Sequence, residues 1–156
     1  MTAGRMLLLQ RVPAGASPPY VHRLDDGASR RPRVLLIEDD MAIALMYRLQ
    51  LTGDGYDVEL ATDGVTGLQQ VQGMPPDLVL LDLRLPRLAG LDVLRAIGLD
   101  PRLAGIPVLI LSNYGEPEMV KEGLQLGARD YLIKSQTTPI ALSLRLRDFL
   151  PPGSIS

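Results

Sequence analysis

The chain has 156 residues, 46% of them apolar and 22% charged, which suits one globular domain with a sizeable core. It has no cysteine and one histidine, His22, which excludes disulfides, thiolate metal sites and multi-histidine sites, and disfavours histidine-based catalysis. The formal net charge of -2 splits into +4 over residues 1–33 (six arginines, two aspartates) and -6 over residues 34–156 (10 basic, 16 acidic), a balance that argues against direct nucleic-acid binding by the main domain.

Residues 1–32 carry Pro13, Gly15, Pro18, Pro19, Gly27 and Pro32 and show no sustained periodicity, so they are expected to form a flexible N-terminal extension. From Arg33 the pattern alternates regularly. A strand over 33–38 precedes a helix of about 41–52, closed by Gly53 and Gly55. A strand over 57–61 precedes a helix of about 64–72, ended by Gly73, Pro75 and Pro76. A strand over 78–82 leads through a loop to a helix of about 90–97. A strand over 107–111 precedes a helix of about 116–126, which ends at Gly127. A strand over 130–134 precedes a last helix of about 139–149, started by Thr138 as a hydroxyl cap with Pro139 in the first turn, and Pro151-Pro152 stops it. Residues 33–150 form the expected domain and 151–156 a tail.

Five strands alternating with five helices predict an α/β, doubly wound parallel sheet. The flavodoxin-like strand order 2-1-3-4-5 is the natural topology, with its switch point between strands 1 and 3. No apolar run approaches the ~20 residues of a membrane span. Met6-Leu7-Leu8-Leu9 is too short for a secretory signal. The expectation is a cytoplasmic protein without membrane contact.

Ligands of open α/β sheets bind at the carboxyl ends of the strands. Strand Val34-Leu35-Leu36-Ile37 runs into Glu38-Asp39-Asp40, and Leu78-Val79-Leu80-Leu81 runs into the lone Asp82. Val108-Leu109-Ile110-Leu111 ends in Ser112, and Tyr131-Leu132-Ile133 ends in Lys134. Converging carboxylates raise one another's pKa unless a cation joins them. A hard divalent ion such as Mg²⁺ suits them, with Asp39 and Asp82 as direct ligands and Glu38 acting through water. Asp40 is placed as a helix cap outside that set. Lys134, at the end of a buried strand, needs an anion, and Ser112 can donate to a phosphoryl oxygen. A carboxylate nucleophile, a metal, a hydroxyl and an ammonium together describe a phosphoryl site.

Residues 33–150 resemble bacterial two-component response-regulator receiver domains of the single-domain, chemotaxis-regulator-like kind. The resemblance runs through Leu36-Ile37-Glu38-Asp39-Asp40, Asp77 to Pro86, Gly90-Leu91-Asp92-Val93-Leu94, Ile110-Leu111-Ser112 and Gly127 to Lys134. It implies that Asp82 accepts a phosphoryl group from a histidine kinase or phosphotransfer protein. It implies Mg²⁺ held by Glu38, Asp39, Asp82 and the main-chain carbonyl of Arg84. It makes Ser112 the switch hydroxyl, Tyr131 the switch aromatic and Lys134 the conserved-type lysine. Switching would bias the helix at 116–126, the strand at 130–134 and the last helix toward a downstream protein. The resemblance also places Arg84 and Tyr114 beside the path of the hydrolytic water, where two large side chains form a lid that slows loss of the phosphoryl group. The sequence departs from the family where lysine is usually followed by proline: Ser135 follows Lys134. A cis bond there would cost about 3 kcal/mol without proline, so the loop is expected to be trans or strained.

The first helix is apolar nearly all round, and its outward Leu45 and Leu49 are expected to form a partner or homodimer surface. The chain ends six residues after Leu150, so the expectation is a single-domain regulator acting by protein contact, or a relay intermediate. Two other readings remain. A haloacid-dehalogenase-like phosphohydrolase would carry a second aspartate where Arg84 stands. A pseudo-receiver that only binds partners would have no need of Glu38, Asp39, Asp82, Ser112 and Lys134 together.

Overall fold

A computed structural model describes residues 30–153. His22, the Met6–Leu9 run and residues 154–156 lie outside the described residues, as does the expected extension up to Ser29. The described elements are β1 (Arg33–Ile37), α1 (Met41–Gly53), β2 (Asp57–Ala61), α2 (Gly64–Gly73), β3 (Leu78–Leu81), α3 (Gly90–Leu99), β4 (Val108–Ser112), α4 (Pro117–Gln125), β5 (Asp130–Ile133), a 3₁₀ turn (Lys134–Gln136) and α5 (Pro139–Leu146). The strands form one parallel sheet in the order β2-β1-β3-β4-β5. That is the expected doubly wound topology.

The central strands are buried on both faces, so their apolar residues divide by parity. Leu35, Ile37, Val79, Leu81, Val108 and Ile110 pack with Val71 of α2 and with Val93, Leu94 and Ile97 of α3. Val34, Leu36, Leu78, Leu80, Leu109 and Leu111 pack with Ala44, Tyr47 and Leu51 of α1 and with Leu142 and Leu146 of α5. The first group lies under α2 and α3, the second under α1 and α5. On the outer face of α1, Met41, Leu45, Met46 and Leu49 are exposed.

Caps behave as the sequence suggests. Asp40 accepts from the amides of Ala42 and Ile43 at the start of α1, and Thr138 accepts from Ala141 at the start of α5. Strand ends differ from expectation by one residue. β1, β3 and β5 stop before Glu38, Asp82 and Lys134, although the Glu38 and Asp82 amides still donate to Ala61 and Ile37 of the neighbouring strands. The last helix is shorter than expected: α5 stops at Leu146, and turn hydrogen bonds from Asp148, Phe149 and Leu150 to Arg145 and Leu146 carry the chain on. No cis peptide occurs among the described residues, so the Lys134–Ser135 bond is trans.

The ends of the described chain are tied to the body. Arg30 reaches Asp77, and Arg31 donates to the Thr52 carbonyl. Tyr56, with no exposed surface, donates to the Leu150 carbonyl at 2.6 Å. Burial pushes its phenol up to about 12, against a smaller pull from the Arg147 charge. The unfolded phenol ionises near 10. Folding therefore favours the protonated phenol: its contribution to stability is whole below pH 10 and is lost as pH rises from 10 toward 12. Tyr56→Phe leaves the carbonyl without this donor and should cost about 1–2 kcal/mol in urea unfolding at pH 7. The variant should also lack this phenol's share of the alkaline loss, so the stability gap to wild type narrows above pH 10.

Candidate functional site

Three loops at the carboxyl edge of the sheet, after β1, β3 and β5, meet at Asp82. Its backbone is fixed first. The Asp82 amide donates to Ile37 at 3.0 Å, which continues the β1–β3 ladder past the last paired residue. Its Oδ1 accepts from the Leu83 amide at 2.8 Å. Its Oδ2 faces the Lys134 ammonium at 3.1 Å. The residue is 6% exposed.

Glu38 is 1% exposed. One oxygen accepts from the Asp40 amide at 3.1 Å and the other pairs with Lys134. Burial raises the Glu38 pKa, and the neighbouring Asp82 charge adds to that, while Lys134 and the Asp40 amide offset part of it. Lys134 answers in the opposite sense. Burial works against its charge, but the Glu38 hydrogen bond and the charges of Asp82 and Glu38 outweigh burial and hold its pKa above the ordinary value. Asp39 is exposed, and the carboxylate oxygens of Glu38, Asp39 and Asp82 lie within 4.8 Å of one another.

This donor set fits a hard divalent cation. It consists of oxygens alone, and the exposed Asp39 leaves one side open for the waters that such an ion keeps. Formally, three carboxylates and one ammonium carry two negative charges, which a divalent ion neutralises.

Ser112, with no exposed surface, ends β4, and its Oγ accepts from the Tyr114 amide at 3.2 Å. Tyr131 on β5 donates its hydroxyl to the Tyr114 carbonyl. Above this loop the Arg84 guanidinium lies 3.9 Å from the centre of the Tyr114 ring, an attractive cation–π stack. The structure thus brings together Glu38, Asp39, Asp82 and Lys134, and joins Arg84, Tyr114, Ser112 and Tyr131 by contact beside them.

The sequence read Gly90 as a helix start and as part of the motif shared with the family, without a physical role for it. In the structure its amide donates to Leu83 at 2.9 Å. A Cβ at Gly90 would stand 2.2 Å from the Asp82 carbonyl oxygen and 2.6 Å from the Leu83 Cα. The start of α3 thereby presses directly on the backbone that carries Asp82. Tyr47 was equally hidden as an apolar helix position: its hydroxyl reaches the loop after Lys134, donating to Thr137 at 2.8 Å.

The model of the response regulator receiver domain matches residues 34–145. This chain belongs to the response regulator receiver family. Across 103 residues it is 42% identical to the DNA-binding dual master transcriptional regulator RpaA of Synechocystis, covering 66% of this chain and 43% of that protein. The chain thus spans less than half the length of this curated relative. The chemotaxis protein CheY4 of Vibrio cholerae superposes with a TM-score of 0.72 at 29% identity, covering 78% of this chain and all of that one. The manganese(II)-bound form of the response regulator Rcp1 gives a TM-score of 0.68 at 26% identity, over 76% of this receiver and 93% of that chain.

These relatives correct one expectation. Exclusion of nucleic acid rested on the acidic balance of residues 34–156, and a relative that is a DNA-binding regulator withdraws support for it. The charge of one domain bears on that domain's own surface alone.

Replacing Gly90 by alanine should force the Asp82–Leu83 backbone to move. We expect a loss of about 1–3 kcal/mol in chemical unfolding, the range of overpacked core sites. Gly98→Ala serves as the control, because a Cβ there meets the Leu126 carbonyl oxygen at an ordinary 3.6 Å.

Proposed function

We propose that Asp82 is the phosphoryl acceptor of this receiver and takes its group from the phosphohistidine of a histidine kinase or phosphotransfer protein. The observation that supports this best is the buried Asp82 carboxylate, facing Lys134 at 3.1 Å and clustered with Glu38 and Asp39. An Asp82 oxygen attacks phosphorus in line, and the bond from phosphorus to the histidine nitrogen breaks. Lys134 stands where its ammonium can pair with an equatorial phosphoryl oxygen. Ser112 supplies a hydroxyl to the same group.

Glu38, Asp39 and Asp82, with the Arg84 carbonyl that the family resemblance adds, would hold Mg²⁺. The manganese-bound Rcp1 supports a divalent ion in this fold. Bound there, the ion would neutralise charge between the acids and the incoming phosphoryl oxygens. The chemistry is confined to the protein's own phosphorylation and dephosphorylation. Residues 33–150 form the working unit, and the readout is a change at Ser112 and Tyr131 passed to α4, β5 and α5. The exposed Leu45 and Leu49 of α1 offer an apolar surface to the phosphodonor or a second copy. Cytoplasmic location completes the reading; among the described residues no helix is long and apolar enough to cross a membrane.

Acetyl phosphate with Mg²⁺, followed by intact mass, tests the assignment. Wild type should gain one phosphoryl group, and Asp82→Asn should gain none while keeping its fold. Normal labelling of Asp82→Asn would sink the proposal, and rapid turnover without an adduct would favour the phosphohydrolase reading.

The Arg84–Tyr114 stack carries a second expectation. The two side chains stack on one another, and the family resemblance sets both beside the in-line path, so we propose that together they keep water from the phosphoryl group. Arg84→Asn and Tyr114→Glu should each speed decay of the phosphorylated protein several-fold; a tenfold change needs only ~1.4 kcal/mol in the barrier. Equal or slower decay in both variants would refute the lid.

A further inference from the structure

The loop that carries Lys134 is built without the proline common in its family, and side chains hold it in place. Lys134 opens a 3₁₀ turn over Lys134–Gln136. Thr137 closes the turn twice: its amide donates to the Lys134 carbonyl at 3.2 Å, and its hydroxyl donates to the Ile133 carbonyl at 2.8 Å. Turns of this length gain little from their own hydrogen bonds and need outside support. The support comes from α1. Tyr47, 2% exposed, donates its hydroxyl to the Thr137 carbonyl at 2.8 Å, across 90 positions of sequence.

The placement of Tyr47 gives this bond a specific consequence. α1 begins at the Asp40 cap, directly after Glu38 and Asp39. One rigid helix therefore carries the acids at its start and the loop anchor two turns later. The Tyr47 ring packs against the sheet with Leu36 and Leu80 in the same core cluster, so its hydroxyl has little freedom. The distance between the acidic edge and the Lys134 loop is set by this helix rather than by the loop.

We propose that Tyr47 and Thr137 are positioning residues that hold the Lys134 ammonium over Asp82. The catalytic part of this inference rests on the reading of Asp82 as phosphoryl acceptor; the placement of Lys134 does not. Without the Tyr47 hydroxyl, the Thr137 carbonyl loses its anchor and the 3₁₀ turn relaxes. Lys134 then spends less time at Asp82, and the penalty falls on the phosphoryl step because the ammonium acts there by position.

The test uses the full chain and Tyr47→Phe, which removes one oxygen and keeps the ring. Lys121 and Lys134 are the two lysines of the sequence. In protein with ¹⁵N-labelled lysine side chains, the buried and paired Lys134 ammonium should give a protected signal, while exposed Lys121 exchanges too fast to be seen. Tyr47→Phe should broaden or erase the Lys134 signal, and Thr137→Val should weaken it. At saturating acetyl phosphate and Mg²⁺, Tyr47→Phe should slow labelling of Asp82 about tenfold. The same change in a Lys134→Ala background should slow it little, since the group being positioned is gone.

An unchanged Lys134 signal in Tyr47→Phe would overturn the proposal. So would equal slowing in both backgrounds, which marks a scaffold role that does not act through Lys134. If wild type fails to take up phosphoryl at all, the acceptor reading fails, and the lysine signals still decide the positioning. If Tyr47→Phe does not fold, Thr137→Val alone decides: a wild-type Lys134 signal together with a wild-type labelling rate would then overturn the proposal.

Discussion

The pairing of the Lys134 ammonium with Glu38 and Asp82 is the interaction on which the rest of this edge of the sheet depends. Burying a carboxylate costs several kcal/mol unless a partner is supplied. Here two are buried side by side, and one buried cation serves both. That arrangement demands three strands, β1, β3 and β5, ending at the same level. The strand order meets the demand, because β1 and β3 are neighbours and β5 lies one strand beyond β4. The crossovers then place α1 and α5 on the same face, where the Tyr47 contact can form.

Much of this was legible in the sequence because burial on both faces leaves a strong mark. Leu78 to Leu81 is apolar without alternation, and so are Val34 to Ile37 and Val108 to Leu111. Such runs cannot sit at a surface, so the polar residue that ends each one is an exception that asks for a reason. Asp82, Glu38 and Ser112 were found as those exceptions; Lys134 was expected to end a buried strand, but β5 is a half-buried edge strand, and it is the Lys134 side chain itself that is buried. The chain order of strands and helices left few topologies.

What the sequence hid has a common physical character: it depends on distance between residues remote in the chain. Tyr47 lies in an apolar helix and reads as core, which it is; its hydroxyl partner is 90 residues away. Gly90 reads as a helix boundary, yet its missing side chain makes room for the Asp82 carbonyl. The Arg84–Tyr114 pairing was anticipated from the family's architecture, and no pattern of spacing alone implies it. The strand ends were misplaced by one residue at Glu38, Asp82 and Lys134 because an apolar run marks the body of a strand and not the last residue of its ladder.

The loop after β4 ties the remaining functions into one mechanical unit. Its Tyr114 amide bonds to the Ser112 hydroxyl, its carbonyl takes the Tyr131 hydroxyl, and its ring stacks on Arg84. Ser112 at the end of β4, Tyr131 within β5 and Arg84 in the loop after β3 therefore contact a single residue. On the proposed function, a movement of Ser112 toward a phosphoryl group would pull on the Tyr114 amide, and the same peptide segment holds Tyr131. The half-buried Tyr131 ring, packed into the core on the α2–α3 face of the sheet, cannot shift without that carbonyl bond being remade. Packed cores respond to such pulls by moving between discrete arrangements rather than by bending. If Asp82 is phosphorylated as proposed, the covering of the phosphoryl group and the signal that it is present would both run through this one loop, and a change that frees Tyr114 would alter both together.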